Sequence, residues 1–541
     1  MGTLRDISLQ QSFIFDTYDS DVQETQGANG LTPETVLKDV FGYDSFRPLQ
    51  KEIIQNVLDG RDTLAVMPTG GGKSLCYEIP ALIMTGLTVV VSPLIALMQD
   101  QVAQLEAAGV QAVCLNSSMS QEAYADTCQK IRSGTIKLLY VSPEGLNTRR
   151  IQSLLADKSV SVDCITIDEA HCVSEWGHDF RPDYLALAAV RKQFPRAVCL
   201  ALTATATRLV RDDIILQLKL ENPAVLVSSF DRPNIFLEVK PKIKPLSQVT
   251  AFLRSREGES GIIYCFSRKQ VDELTDELVS AGFSAQGYHA GLGAEERAQH
   301  QKAFINGRVD IMVATVAFGM GINKPDVRFV IHYDMPKSIE QYYQEIGRAG
   351  RDGLPSHALL LYSPGDIRKI KFFFKDQEDP TQAERLLSGM IHYALSKTCR
   401  RETLLSYFGE QYGNRQHSQN RHNASLCCCD ICSEARAVKP LPESTQTIKP
   451  LQKPKKASTR VNSGDSQETR IAAALKAWRR KKADEENLPP YVIFGDRTML
   501  DIAAKKPRTK TELLQCYGIG ERKAEIFGRT ILAIVKEYGT D

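Results

Sequence analysis

The stretch TLAVMPTGGGKSL (63–75) sets Gly70, Gly71 and Gly72 directly before Lys73 and Ser74. Glycines let backbone N–H groups curl around phosphate oxygens, and a helix starting just beyond turns its positive end to the same anion. Lys73 is placed for the β- and γ-phosphates and Ser74 for Mg2+, with Thr69 and the three glycines lining the pocket. The strict pattern asks for a further glycine where this chain has Met67. A second element, CITIDEAHC (164–172), puts Asp168 and Glu169 at the end of an apolar run. Ligands of open α/β sheets bind at that edge. Asp168 reads as the carboxylate that holds Mg2+ through water, and Glu169 as the group that polarises an attacking water.

Two further stretches carry charge or rings suited to a ligand. In QEIGRAGRDG (344–353), Arg348 and Arg351 stand three residues apart. On one helical face either guanidinium could cross a cleft and stabilise charge developing on a γ-phosphate; the spacing does not choose between them. SEWGHDFRP (174–182) follows the acidic pair and carries Trp176, His178, Phe180 and Arg181 in a chain with only two tryptophans. Aromatics with an arginine on a loop suit stacking on unpaired bases of any sequence. Farther on, LCCCDICS (426–433) holds Cys429 and Cys432 in the C-x2-C spacing that a tetrahedral zinc site favours.

These residues need a scaffold that gathers them. From about 31 to 363, short β-branched runs such as TVVVS, KLLYVS, GIIYCFS and FVIHYD alternate with amphipathic stretches, which predicts parallel sheets built from βαβ units. The fold class expected is α/β, with one sheet lobe over 31–224 and a second over 225–363, and SSFDRPNI (228–235) as the hinge between them. Residues 1–30 read as an acidic disordered tail, 364–436 as a helical module ending in the cysteines, 437–466 as a flexible basic linker, and 467–541 as a small all-α domain. A net charge of only +2 requires any nucleic-acid site to be a local patch. The N-terminus lacks a basic region followed by an apolar one, and the most apolar stretch is broken by Gly86 and Pro93, so neither a secretory signal nor a membrane span is expected. Clustered cysteines in such a chain favour metal over disulfides.

Taken in order, FGYDSFRPLQ (41–50), MPTGGGKS, VVVSPLIALMQDQ (89–101), DEAH (168–171), LTATAT (202–207), IIYCFSR (262–268), ATVAFGMGINKPDVRFVIH (314–332) and QEIGRAGRDG closely resemble a superfamily-2 helicase, and within it the RecQ family. The resemblance covers about residues 36–435 and returns at 467–541, where the chain is similar to an HRDC domain. It implies two RecA-like lobes and an ATP-dependent 3′–5′ DNA helicase acting in repair and recombination. Tyr43, Arg47 and Gln50 then match an adenine-contacting motif, Gln344 joins the catalytic set with Lys73, Asp168, Glu169, Arg348 and Arg351, and TAT (203–205) couples ATP to nucleic acid. The loop of Trp176, His178, Phe180 and Arg181 matches the family's aromatic-rich DNA-binding loop.

The same resemblance pairs a helix cysteine with the knuckle and one more nearby, giving Cys399, Cys428, Cys429 and Cys432 as zinc ligands, with Cys427 as the alternative to Cys428. Many members insert a winged helix after this module, and the roughly 30-residue linker here has no room for a folded domain of about 100 residues. A second reading therefore keeps ATPase and translocation but gives weak unwinding, with strand annealing or remodelling as output. A third, an inactive DNA-binding scaffold, is disfavoured by the complete set of catalytic types. Expected cofactors are ATP, Mg2+ and Zn2+; the expected partner is single-stranded and tailed or forked DNA, with no membrane. A monomer is expected, inside the cell: in the nucleus of a eukaryote or the cytoplasm of a bacterium.

Overall fold

The computed structural model describes residues 30–116, 119–319, 324–374, 380–412, 428–437, 467–486 and 488–539. The expected acidic tail up to residue 29, Cys427 and the linker from 438 to 466 lie outside the described residues.

Seven strands form the first sheet: β1 (Thr63–Val66), β2 (Leu87–Val91), β3 (Ala112–Leu115), β4 (Leu138–Val141), β5 (Val162–Ile167), β6 (Val198–Thr203) and β7 (Ala224–Val227). All pair in parallel, in the order β3-β4-β2-β5-β6-β1-β7. β1, β2, β4 and β6 are buried at every position, as strands covered by helices on both faces must be. This order sets β5, β6 and β1 side by side, so the loops after them emerge together at one edge. Those loops are the DEAH segment, the TAT segment and the glycine loop.

The second sheet comprises β8 (Ile235–Pro241), β9 (Ser260–Tyr264), β10 (Ala285–Tyr288), β11 (Ile311–Ala314), β12 (Val327–His332) and β13 (Ser356–Tyr362). It is again parallel, in the order β10-β11-β9-β12-β13-β8. The helix Ile339–Ile346, capped by the Ser338 hydroxyl on the Gln341 N–H, delivers the turn that carries Arg348 and Arg351. Helices Pro364–Phe372, Thr381–Leu395, Arg400–Tyr407 and Asp430–Ala437 form the next module. The last part is helical, with its own core of Ile471, Leu475, Phe494, Leu513 and Ile531, against which Trp478 packs.

The segment joining β7 to β8 is gripped by the cysteine module. Glu410 accepts hydrogen bonds from the Ser229 hydroxyl at 2.5 Å and the Phe230 N–H at 2.7 Å. Arg401 donates to Asp231 at 2.5 Å and to the Ile235 carbonyl at 2.8 Å. The Phe230 ring stacks on Phe408 with centroids 4.5 Å apart, and the Tyr343 hydroxyl closes the site on the Phe230 carbonyl at 2.9 Å.

One packing detail gives a direct test. Gly261 on β9 leaves a notch filled by the ring of Phe329 on β12, and a Cβ there would overlap that ring. Gly261→Ala is expected to cost about 1–3 kcal/mol through overpacking, and Phe329→Leu in the same chain should recover part of it, both read by thermal unfolding.

Candidate active site

The glycine loop runs from the end of β1 to the helix Leu75–Ile83. Gly70 and Gly72 adopt φ of +83° and +80°, a region that only glycine enters without strain. Lys73 Nζ lies 3.3 Å from the Met67 carbonyl, and the Ser74 hydroxyl donates to Gln101 at 3.0 Å. Two residues of the adenine-type motif close on the loop. The Arg47 guanidinium donates to the Gly70 carbonyl, and the Gln50 amide donates to the Gly72 carbonyl at 2.9 Å while accepting the Arg47 N–H at 2.7 Å. A side chain at Gly72 would strike the Gln50 amide, so this glycine is also needed for close approach. Tyr43 remains half exposed.

Beside the loop stands the acidic pair. Burial, then the neighbouring Glu169, raises the Asp168 carboxyl to about 7, while Lys73 pulls it down. A partly buried carboxylate pair beside one lysine is a fitting place for a divalent cation, which favours the charged form. Glu169 holds a left-handed backbone, φ 49°, an uncommon conformation for a side-chain-bearing residue that belongs with a functional turn. Its Oε2 is buried and lies 3.3 Å from His171 Nδ1. Burial holds His171 well below the usual imidazole range, so the ring is neutral.

From there a polar chain leads to the second lobe. His171 Nδ1 is 2.9 Å from the Thr203 hydroxyl, which donates to the Thr205 carbonyl at 3.2 Å. The Thr205 hydroxyl accepts from Gln344 Nε2 at 3.4 Å, across the cleft. The other end reaches the aromatic loop, where His178 stacks on His171 with centroids 4.6 Å apart and planes within 12°. Thus the structure turns His178 inward. Trp176 is half exposed, while Arg181 is ion-paired to Asp179 at 3.0 Å. Gln382 from the cysteine module holds the loop through the carbonyls of Glu175 at 2.5 Å and Gly177 at 3.4 Å.

The two arginines separate. Arg348 is buried and donates to the Gly319 carbonyl within its own lobe. Arg351 crosses the cleft: its Cγ lies 3.3 Å from where a Cβ on Gly70 would stand. Burial, then Arg348 and Arg232, lowers the Arg351 guanidinium to about 9. Like charges gathered beside a phosphate loop favour an anion among them. Sequence reasoning missed Arg232, Gln101, Gln382 and Glu410. The first two lie within segments it had singled out; the last two carry no local signal.

The final domain meets this edge of the cleft. Burial, then Asp100 and Asp326, push the Tyr491 phenol up, with Arg351 opposing. Asp484 pairs with Arg308 of the second lobe at 3.2 Å.

At the cysteine module, Cys399, Cys428, Cys429 and Cys432 converge, all four sulfurs lying within 4.8 Å of one another. Sulfur separations of 3.5 Å (Cys399–Cys428), 3.9 Å (Cys428–Cys432) and 3.9 Å (Cys399–Cys429) are far longer than a disulfide. Tetrahedral thiolates about 2.3 Å from zinc stand about 3.8 Å apart, so the cluster fits that ion. It is fastened to β8: the Leu237 N–H donates to the Cys428 carbonyl at 3.1 Å and the Val239 N–H to Asp430 at 3.1 Å.

Two parallel-sheet lobes with a phosphate loop, a DEAH turn and an opposing arginine turn define a helicase-type ATPase motor. Matching models agree: DEAD/DEAH box helicase over residues 47–213, helicase conserved C-terminal domain over 242–353, RecQ zinc-binding over 364–433 and HRDC domain over 468–535. The ATP-dependent DNA helicase RecQ of Pasteurella multocida is 40% identical, covering 93% of each chain. Its Bacillus subtilis counterpart is 34% identical over 93% of this chain and 98% of its own. The chain belongs to the RecQ family. Among solved structures, Mss116p bound to single-stranded RNA and AMP-PNP shares the fold, with a TM-score of 0.54 at 15% identity, covering 76% of this chain and 98% of that one.

Two outcomes follow from these surroundings. Burial raises the Glu78 carboxyl, on the helix after the glycine loop, from 4.5 to about 8. The folded chain therefore holds a proton that the unfolded chain releases across that window, and stability falls as pH rises through it. Glu78→Gln should raise the melting temperature at about pH 8.5 and change it little at about pH 4, below the unfolded carboxyl's own range. For the cluster, metal analysis should return zinc that Cys432→Ser lowers, and chelation should unfold the module, since structural zinc contributes folding energy directly. A folded, metal-free wild type would contradict the zinc assignment.

Proposed function

We propose that this chain is an ATP-driven DNA translocase and helicase that moves 3′ to 5′ on single-stranded and tailed or forked DNA, serving repair and recombination. The reading is carried by the polar chain Glu169–His171–Thr203–Thr205–Gln344, which starts at the water-polarising carboxylate, touches the aromatic loop and ends on the opposite lobe. ATP closing the cleft and hydrolysis opening it would move the lobes relative to one another. Trp176 supplies the exposed ring for stacking on unpaired bases.

Within the cleft, Lys73 and the glycine-loop amides bind the phosphates, and Arg47, Gln50 and Tyr43 hold the adenine side. Glu169 orients the attacking water, with the neutral His171 beside its carboxylate. Arg351 is the arginine finger, because its side chain lies over the phosphate loop, and Arg348 braces the turn from within the second lobe. Ser74 and Asp168 would hold Mg2+, which supplies charge neutralisation on the phosphates. Zn2+ on the four cysteines is structural.

A second reading keeps ATPase and translocation with weak unwinding and strand annealing. The alignment to the Pasteurella multocida relative runs over 591 positions, more than this chain's 541, so that relative carries sequence absent here. The short stretch between Cys432 and Gln467 leaves no space for a duplex-gripping domain.

ATPase with and without single-stranded DNA, paired with unwinding of 3′- and 5′-tailed duplexes, tests both readings. Lys73→Ala should lower hydrolysis by about a hundredfold or more. Trp176→Ala should keep the DNA-free rate and lose the stimulation by DNA. Strong stimulated ATPase without unwinding selects the second reading, and hydrolysis indifferent to DNA rejects both.

A further inference from the structure

Arg232 lies in the segment joining the two lobes, and its guanidinium makes four hydrogen bonds, each to a main-chain carbonyl. Nη1 donates to Thr69 at 3.0 Å and to Gly347 at 3.2 Å; Nη2 donates to Ala349 at 2.8 Å and to Gly350 at 3.0 Å. Thr69 belongs to the phosphate loop, and residues 347–350 form the turn between Arg348 and Arg351. One nitrogen therefore bridges the two halves of the cleft. A buried arginine that only stabilises a core is ordinarily paired with a carboxylate. This one gives its donors to two loops on opposite sides of the cleft, the phosphate loop and the turn that carries Arg351. Burial lowers it below its ordinary value.

The surroundings sharpen the role. Asn234, two residues on, donates to the Gly350 and Leu354 carbonyls at 2.9 Å each, so the same connecting segment supports the turn twice. The segment itself is anchored to the cysteine module through Ser229, Phe230 and Asp231. Three of the four carbonyls lie in the second lobe and one in the first. Opening the cleft can release Thr69 alone while the turn stays held.

We propose that Arg232 is a positioning residue for the arginine finger: it fixes the 347–350 turn against the Thr69 carbonyl, so that Arg351 reaches the γ-phosphate only when the lobes close. This rests on the reading of Arg351 as the finger. Guanidinium geometry matters here, because a lysine ammonium has three donors on one atom and cannot span four spread carbonyls. Four of the guanidinium's five N–H groups are taken by main-chain carbonyls, so its effect passes through Arg351.

The test uses the full chain with its zinc. For wild type, Arg232→Gln, Arg232→Lys, Arg351→Ala and the Arg232→Gln/Arg351→Ala double variant, DNA-stimulated kcat and KM for ATP are measured. Affinities for a non-hydrolysable ATP analogue and for ADP with aluminium fluoride, a mimic of the transferring phosphoryl group, are measured alongside. Arg232→Gln should lower kcat by about 10- to 100-fold with KM little changed, and weaken the mimic but not the ATP analogue. Arg232→Lys should fall between it and wild type, and serves if the glutamine variant folds poorly. In the Arg351→Ala background, Arg232→Gln should add no further loss of mimic binding. Equal weakening of analogue and mimic in the folded Arg232 variants, unchanged kcat, or a fully additive loss in the double variant overturns the proposal. If Arg351→Ala leaves mimic binding intact, the finger assignment fails first and this inference with it. If Arg351→Ala loses that binding while the Arg232 variants keep it, the inference alone fails.

Discussion

Everything about this motor depends on how residues 229–235 are held. The segment is the direct link between two sheets, and it is fastened on several sides by different chemistry. Glu410 takes the Ser229 hydroxyl and the Phe230 N–H, Arg401 takes Asp231 and the Ile235 carbonyl, and Phe230 lies flat on Phe408. Arg232, from the same segment, reaches into the cleft. A charged pair here is partly buried, where breaking it costs far more than it would on the surface. The link is thus anchored on several sides. Contacts that cross the cleft include Arg232 on Thr69, Gln344 on Thr205, Gly347 beside Thr69 and Arg351 over Gly70.

The cleft itself concentrates unrelieved charge. On one wall Asp168 and Glu169 repel each other in a buried setting; on the other Arg232, Arg348 and Arg351 do the same. Lys73 opposes the repulsion at Asp168. Under the proposed function, a nucleotide with its cation would meet both walls at once, and differential binding to the closed cleft would drive the change of shape. Sites that break the ordinary rules of pairing are where function resides.

How much of this could be read from the chain divides along a physical line. The phosphate loop, the DEAH turn and the parallel sheets are local patterns: glycines, a lysine, and β-branched runs ending in charge. Their meaning is fixed by residues a few positions apart, and the strand order β5-β6-β1 then brings their loops together. The cysteine knuckle was equally local, and Cys399 came from family resemblance rather than spacing. By contrast Arg232 and Gln382 donate to main-chain carbonyls, and Glu410 accepts a main-chain N–H, far away in sequence, and a main-chain group has no residue type to betray it. His178 shows the converse: as an aromatic in a base-stacking loop it resembled Trp176, yet it packs on His171. Likewise the spacing of Arg348 and Arg351 was symmetrical, and only packing set one against its own lobe and the other against Gly70.

The cysteine module has a place in this scheme beyond holding a metal. Through Gln382 it supports the carbonyls of the aromatic loop on the first lobe, and through Glu410 and Arg401 it fixes the link between lobes. Its knuckle is stitched to the edge strand β8 of the second lobe. One small helical body therefore touches the DNA-facing loop, the link and the second sheet. Its described residues Leu387, Met390, Leu404 and Phe408 are buried in a core shared with Phe230 and Tyr343. A body so small needs a tether to stay rigid, and four sulfurs with room for one ion provide it. Under the proposed function, rigidity there would set the angle at which a strand stacked on Trp176 meets the cleft, so zinc at the four cysteines would act on coupling through stiffness rather than through chemistry.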